Sequence, residues 1–170
     1  EVRVLVEDSA METAARDCLA RRAPGGAAPA AIRFFHAPNN DSWIRDYGPL
    51  FLTRGGGGEG GGPLLLDWEF NAWGAKEEGY EFDLDNETPR RIADWLGLER
   101  RAPGRILEGG AIEVDGEGLL LTSESCLLNP NRNPGMSREE VEAMLRDWLG
   151  ARKILWLGRG VEGDDTEGHV

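Results

Sequence analysis

The chain has 170 residues, with 19 Lys or Arg against 31 Asp or Glu, and its formal net charge is −12. This length suits one domain with its own core, and the acidic excess argues against nucleic acid or an anionic membrane as the main partner, since phosphate binding needs a basic surface. The sequence has neither a run of about 20 apolar residues nor a signal-peptide pattern, and two cysteines cannot form a disulfide framework. We therefore expect one soluble, cytoplasmic domain over residues 1–170.

In chain order, the apolar pattern predicts a strand, a helix and a strand, followed by a unit of strand, strand, helix and strand. The elements of these two groups are, in order, Val2–Val6, Ser9–Ala23 and Ala31–Phe35, and then Leu50–Thr53, Leu64–Phe70, Glu87–Leu96 and Arg105–Leu107. Gly97 follows the helix of the second group, where glycine commonly ends a helix.

The same order of elements then recurs. Ala111–Val114 and Leu119–Thr122 flank an Asp-Gly turn and predict a hairpin. Ser137 and Glu140 form a capping box at the start of a helix, and Lys153–Leu157 is the closing strand. Repeated units of this kind predict a mixed α/β fold with pseudo-symmetric stacking around a common axis.

A glycine-rich tract covers residues 55–62 and is interrupted only by Glu59. It lacks the Lys-Ser/Thr pair of a phosphate-binding loop, and a strand rather than a helix follows it. Side chains that could repay the cost of ordering are absent, so we predict a flexible surface insertion.

Acidic residues lie in the loops that follow the closing strands. Asp46, Glu108 and Asp165 each occupy this position in successive units. Because function concentrates on loops held by a rigid scaffold, we predict that the three carboxylates converge on one pocket. The alternative, left open by the pattern, is an ordinary solvated acidic surface.

Such a group of carboxylates needs a cation. A metal ion would need a full oxygen shell, with His169 as a further ligand, whereas a guanidinium pairs with carboxylates through two parallel hydrogen bonds. The sequence lacks H-x-x-x-H, H-E-x-x-H and EF-hand patterns. An organic cation is therefore favoured, and neither a metal nor a cofactor is predicted.

Two further residues are candidates for the same pocket. Trp43 precedes Asp46 by three positions and could pack on the stem of a cationic ligand, although a buried core tryptophan is the alternative. His169 follows several carboxylates and could act as an acid or base, unless the terminal segment is disordered. Cys18 and Cys126 are interpreted as structural, since free cysteines are usually buried.

Five segments of the chain closely resemble agmatine deiminases, which are grouped with the bacterial-type peptidylarginine deiminases among the guanidino-group-modifying enzymes. These segments are NDSWIRDYGP (Asn40–Pro49), DWEFNAWG (Asp67–Gly74), LEGGAIEVDGEGLLLT (Leu107–Thr122), CLLNPNRNP (Cys126–Pro134) and GDDTEGHV (Gly163–Val170). The resemblance implies a pentein fold, which is an α/β-propeller of strand–strand–helix–strand units that is incomplete in this chain. It also implies hydrolysis of agmatine to N-carbamoylputrescine and ammonia, a reaction of putrescine and polyamine biosynthesis, through a covalent cysteine intermediate and without a cofactor.

The resemblance also implies residue roles. Asp46 and Glu108 would bind the guanidinium, Asp165 would bind substrate, Trp43 would line the pocket, and His169 would be the general acid and then the general base. In such enzymes the nucleophilic cysteine follows the histidine loop at a distance. We therefore expect that this chain is a central part of a deiminase, that its nucleophile lies outside residues 1–170, and that the chain alone is inactive.

Two other functions stay open. The first is a peptidylarginine deiminase, and the second is a non-catalytic module that binds a polyamine or a cationic peptide. The expected partner is in each case a cationic ligand, and a homodimer is one expectation for the oligomeric state.

Overall fold

The computed structural model describes residues 1–22, 31–53 and 62–170, and it divides the chain into two compact units, residues 1–40 and 41–170. The first unit consists of strand β1 (Val2–Val6), helix α1 (Ser9–Arg22) and strand β2 (Ile32–His36). Strands β1 and β2 pair in parallel, and His36 Nε2 lies 2.7 Å from Glu12 Oε2 of α1. The predicted strand–helix–strand start is confirmed, except that β2 begins one residue later and Ala23 lies outside the described residues.

The second unit contains two three-stranded sheets, β3-β4-β5 and β6-β7-β8. In each sheet the first two strands are antiparallel and the third strand is parallel to the second. The elements of this unit are α2 (Ile44–Tyr47), β3 (Leu50–Leu52), β4 (Leu64–Leu66), α3 (Ala72–Ala75), α4 (Asp83–Leu96), β5 (Arg100–Arg101), a 3-10 turn (Gly109–Ala111), β6 (Ile112–Val114), β7 (Leu119–Ser123), α5 (Glu124–Leu127), α6 (Arg138–Leu149) and β8 (Lys153–Leu157). The mixed α/β class and the repeated strand–strand–helix–strand order are confirmed.

Local signals in the sequence explain several boundaries of these elements. The Ser137 hydroxyl accepts a hydrogen bond from the Glu140 N–H, and the Glu140 carboxylate accepts one from the Ser137 N–H, so the predicted capping box begins α6. Gly150, with φ of 69°, ends the helix in the left-handed conformation that glycine adopts readily. In the hairpin turn, Asp115 Oδ1 accepts hydrogen bonds from the N–H groups of Glu117 and Leu119.

The predicted strand Arg105–Leu107 is wrong in position. Strand β5 is Arg100–Arg101, whereas Ile106 makes only an isolated bridge to Glu69. Both β5 side chains are exposed, so this strand carries no apolar pattern from which it could be recognised. Strand β4 is also shorter than predicted. It ends at Leu66 rather than at Phe70, and α3 is the next element in the chain.

The core of the second unit has two parts. A large aliphatic cluster joins the two sheets to α6 through buried residues such as Leu66, Leu107, Leu120 and Leu145. A smaller aromatic cluster centres on Tyr47 and Phe70. Tyr47 belongs to α2 and Phe70 to the segment between β4 and α3, so the aromatic cluster packs these two segments together.

The predicted flexible insertion lies outside the described residues over positions 55–61. Within the described part of the chain, every helix is too short or too polar to cross a bilayer.

Candidate active site

A cavity of about 820 Å³ opens in the second unit. Three chain segments supply its functional side chains: the α2 segment, the segment beginning at α3, and the C-terminal loop. The residues from these segments that carry the chemistry are Trp43, Asp46, Trp73, Lys76, Asp165 and His169. The structure therefore brings together Asp46, Asp165, Trp43 and His169, all of which were candidates from the sequence.

The carboxylate of Asp46 is buried beside His169. Its side chain is 7% exposed, and its Oδ1 lies 3.6 Å from His169 Nδ1. Oδ2 accepts a hydrogen bond from Trp73 Nε1 at 3.1 Å, whereas Oδ1 has no hydrogen-bond partner among the described residues. A buried acceptor without a partner is costly, so this oxygen is suited to receive an N–H group from a ligand.

Two glycines, Gly109 and Gly110, allow the backbone to lie close to Asp46 and His169. A Cβ at Gly109 would collide with the Arg45 carbonyl, and one at Gly110 would collide with both His169 Nδ1 and Asp46 Oδ1. The Gly110 carbonyl also accepts a hydrogen bond from the Val170 N–H at 3.2 Å. The Glu-Gly-Gly sequence is thus explained by a close approach that any side chain would block.

His169 is held by its own loop. Its N–H donates to Thr166 Oγ1 at 3.1 Å and to Asp164 Oδ2 at 3.3 Å. Burial alone would raise the pKa of Asp164, but the hydrogen bonds from Thr166, Gly168 and His169 outweigh it and lower the pKa. The imidazole is 17% exposed and its Nε2 is buried without a hydrogen-bond partner in the described chain. The structure thus favours an ordered, positioned histidine over a disordered terminal residue.

Two tryptophans form a wall of the cavity. Trp43 is 53% exposed, so the alternative of a buried core tryptophan is wrong. It meets Trp73 edge to face, with 6.1 Å between ring centroids. Helix α3 presents Trp73 through a left-handed turn, in which residues 72–75 all have positive φ and Asn71 Oδ1 accepts a hydrogen bond from the Gly74 N–H. Such strain in non-glycine residues persists only where neighbouring contacts enforce it.

Glu108 lies next to the cavity but is not among the residues that line it. Its side chain is fully buried, and Oε1 accepts a hydrogen bond from Arg132 Nε at 2.6 Å. Its Oε2 lies 3.8 Å from Cys126 Sγ. The Glu108 carboxylate is therefore paired with a guanidinium of the protein itself, a partner that sequence reasoning missed.

Glu108, Cys126 and His169 are also the described residues that come closest to a metal site, since one ligand atom from each lies within 4.8 Å of the others. Arg132 already compensates the charge of Glu108. Burial, with a smaller contribution from Glu108, raises the pKa of the Cys126 thiol to about 12. A protonated thiol is a poor nucleophile, and the burial of Cys126 agrees with its structural interpretation. Because Glu108 is already paired with Arg132, the group suits a metal poorly.

The chain is similar to proteins of known family. The family model described as Porphyromonas-type peptidyl-arginine deiminase matches residues 1–170. The agmatine deiminase of Ectopseudomonas mendocina is 46% identical over 142 residues, which are 82% of this chain and 38% of that protein. The agmatine deiminase of Medicago truncatula is 42% identical over 149 residues, which are 84% of this chain and 40% of that protein. The chain thus spans about two fifths of the length of these curated relatives.

Solved structures show the same likeness. A substrate-bound agmatine deiminase variant of C. jejuni superposes with a TM-score of 0.82 at 32% identity, covering 99% of this chain and 46% of that one. The agmatine deiminase of Enterococcus faecalis superposes with a TM-score of 0.80 at 34% identity, covering 99% of this chain and 43% of that one. From the match of the family model over its whole length, the chain belongs to the Porphyromonas-type peptidyl-arginine deiminase family.

Proposed function

We propose that the complete protein containing this chain is an agmatine deiminase, a hydrolase that converts agmatine and water into N-carbamoylputrescine and ammonia. The observation that carries the proposal is the buried Asp46 carboxylate, whose unpartnered oxygen lies beside His169 in a cavity walled by tryptophans. A carboxylate of this kind suits a guanidinium, because it can accept its N–H groups and compensate its charge. The curated relatives are named agmatine deiminases, which favours this substrate.

The proposed reaction has two stages. A cysteine thiolate forms a bond to the guanidinium carbon while Asp46 and Asp165 orient the substrate and compensate its charge, with Glu108 held beside the cavity by Arg132. The bond from that carbon to one nitrogen breaks, and His169 donates the proton with which ammonia leaves. His169 then removes a proton from water, which attacks the thiouronium carbon and releases the ureido product and the thiolate. Because Cys126 is buried and protonated, we assign the nucleophile to a cysteine outside residues 1–170.

Further proposals concern the fold, the pathway, the cellular location and the oligomeric state. We propose that residues 1–170 are one partial pentein domain, an α/β-propeller whose axis passes through the cavity, with a flexible insertion at residues 55–62. A role in putrescine and polyamine biosynthesis, a cytoplasmic location and a homodimer are further parts of this proposal. The repeated strand–strand–helix–strand units support the propeller.

The decisive experiment supplies agmatine to the complete protein and measures both ammonia and the ureido product. We expect turnover of agmatine that a chelator does not abolish, slower turnover of arginyl peptides, and no turnover by the 170-residue chain alone. Faster turnover of arginyl peptides would assign the protein as a peptidylarginine deiminase, which the family model's description makes the second candidate. Agmatine binding without any product would indicate a binding module and overturn the proposal.

A mutation at the cavity rim tests which end group the substrate carries. Glu77 lines the cavity, and it is exposed. Agmatine has a second cationic group at its far end, whereas an arginyl peptide does not. We therefore expect Glu77→Gln to raise KM for agmatine about two- to fivefold with little change in kcat, as removal of one exposed ion pair predicts.

The matched control is Glu78→Gln, because Glu78 is the next residue, is also exposed, and does not line the cavity. Steady-state kinetics with agmatine at low salt would measure both variants. Equal KM values for the two variants would contradict a role of Glu77 in binding the far end of the substrate.

A further inference from the structure

Arg132 is a buried cation that contacts two separate parts of the site. Its side chain is fully buried, and all three of its nitrogens are used. Nε donates to Glu108 Oε1 at 2.6 Å, Nη1 donates to Glu167 Oε2 at 2.7 Å, and Nη2 donates to the Thr166 carbonyl at 3.0 Å. One guanidinium therefore joins the segment of Glu108 to the loop that ends in His169.

The preceding residue extends this connection to a third segment. Asn131 accepts a hydrogen bond from Asn71 Nδ2 through its carbonyl at 2.8 Å and donates one to Glu167 Oε2 at 2.9 Å. Its side chain occupies the space that a Cβ at Gly74 would need. The Asn131–Arg132 pair thus also contacts the left-handed turn that presents Trp73.

The conformations that this pair contacts are strained. Glu167 has φ of 68°, and residues 72–75 have positive φ as well. Burial would raise the pKa of Glu167, but hydrogen bonds from Asn131 and Arg132 outweigh it and lower the pKa. Since strained backbone and buried carboxylates persist only where surrounding contacts compensate for them, the contacts of Arg132 are a physical cause of the loop conformation that places His169.

We propose that Arg132 is a positioning residue of the active site, which holds Glu108 and the loop from Thr166 to His169 in one fixed arrangement. This inference rests on the proposed function, because it assigns Arg132 an effect on catalysis through His169. Arg132 does not line the cavity, so it acts through residues that do and not on the substrate itself.

The test replaces Arg132 by Lys in the complete protein. Lysine keeps the positive charge, but a single ammonium cannot reproduce the planar fork that meets Glu108, Glu167 and the Thr166 carbonyl together. We expect kcat for agmatine to fall about 100-fold with KM changed less than threefold, because a small displacement of a catalytic group has an effect of this size. The control is Arg138→Lys, since Arg138 pairs with Glu124 at the surface and should keep its kcat.

A spectroscopic measurement keeps the test independent of turnover. The imidazole resonances of His169 and His36 are assigned by replacing each histidine in turn. We expect Arg132→Lys to shift or broaden the His169 signal and to leave that of His36 unchanged, since His36 belongs to the first unit and pairs with Glu12. Arg132→Met provides a second variant, in which the charge is lost as well.

The outcomes separate the possibilities. Unchanged kcat and an unchanged His169 signal in folded Arg132→Lys would overturn the positioning role. A fall in Tm and kcat with an unchanged His169 signal would also overturn it, because it would show a purely structural role. If the wild-type protein released no product from agmatine, the proposed function would fail, whereas the His169 signal would still decide whether Arg132 positions this loop.

Discussion

Replacement of His169 by asparagine should lower kcat for agmatine about 10²- to 10⁴-fold in the complete protein, the range that removal of a general acid–base group gives. Asparagine keeps a hydrogen-bonding group near Asp46 but cannot take up and return a proton. The proposed mechanism uses His169 twice, first to protonate the leaving ammonia and then to activate water, so both stages should slow. Steady-state measurement of ammonia release gives kcat.

The matched control is His36→Asn. His36 is 46% exposed, pairs with Glu12 and belongs to the first unit, so its replacement should leave kcat unchanged. Thermal unfolding of both variants would show whether either change acts through stability. A His169→Asn protein that is folded and retains more than about a tenth of the wild-type kcat would remove the general acid–base assignment, since such groups contribute at least about 10²-fold.

Much of the fold could be predicted because its signals are local. The capping box of Ser137 and Glu140, the Asp115 turn and the glycines that end α4 and α6 act within a few residues of where they stand. Repetition of the same element order then predicted repeated units. Strand β5 could not be predicted from the sequence. Backbone pairing with β4 fixes its register, and its two arginine side chains are exposed, so the sequence has no apolar pattern there.

Some features of the site could likewise be predicted from the sequence, and others could not. The sequence predicted that Asp46, Glu108 and Asp165 would meet, because each follows a closing strand; Asp46 and Asp165 line the cavity together with His169, whereas Glu108 does not. Arg132 could not be predicted, because arginine is usually exposed and its partners Glu108 and Glu167 stand 24 and 35 positions away in the chain. The left-handed turn at Trp73 could not be predicted either, since residues with side chains rarely adopt positive φ; neighbouring contacts override local preference there.

These two failures lie at the site itself, where local preference and tertiary structure disagree. A sequence is expected to break local rules mainly at functional sites, where the cost is compensated elsewhere in the fold. The buried guanidinium of Arg132, the strained turn that holds Trp73 and the unpartnered oxygen of Asp46 are three such exceptions around one cavity. Their clustering argues that the cavity is a functional feature, and it suggests that activity and stability conflict at Asp46.

Replacement of Asp46 by asparagine should separate activity from stability. The charge that compensates the guanidinium is lost, so we expect kcat/KM for agmatine to fall at least about 100-fold, equivalent to about 2.7 kcal/mol of transition-state stabilisation. Asparagine has nearly the same shape, and its side-chain oxygen can still accept the hydrogen bond from Trp73 Nε1. The NH₂ group of asparagine replaces the carboxylate oxygen that has no partner, and it can donate to His169 Nδ1, which lies 3.6 Å from that oxygen. An unpaired buried acceptor, which costs about 1–3 kcal/mol, is thereby exchanged for a donor with an acceptor beside it.

The Tm of Asp46→Asn should therefore equal or exceed that of the wild-type protein, although catalysis is nearly lost. Asp67→Asn is the control, because Asp67 is also a largely buried carboxylate but pairs with Arg100 away from the cavity, and its kcat/KM should stay at the wild-type value. A marked fall in Tm for Asp46→Asn would show that the carboxylate stabilises the fold through His169 and Trp73. Because a buried charge that weakens the fold is retained only where it has another use, a higher Tm together with lost turnover would identify Asp46 as a residue kept for binding the cation.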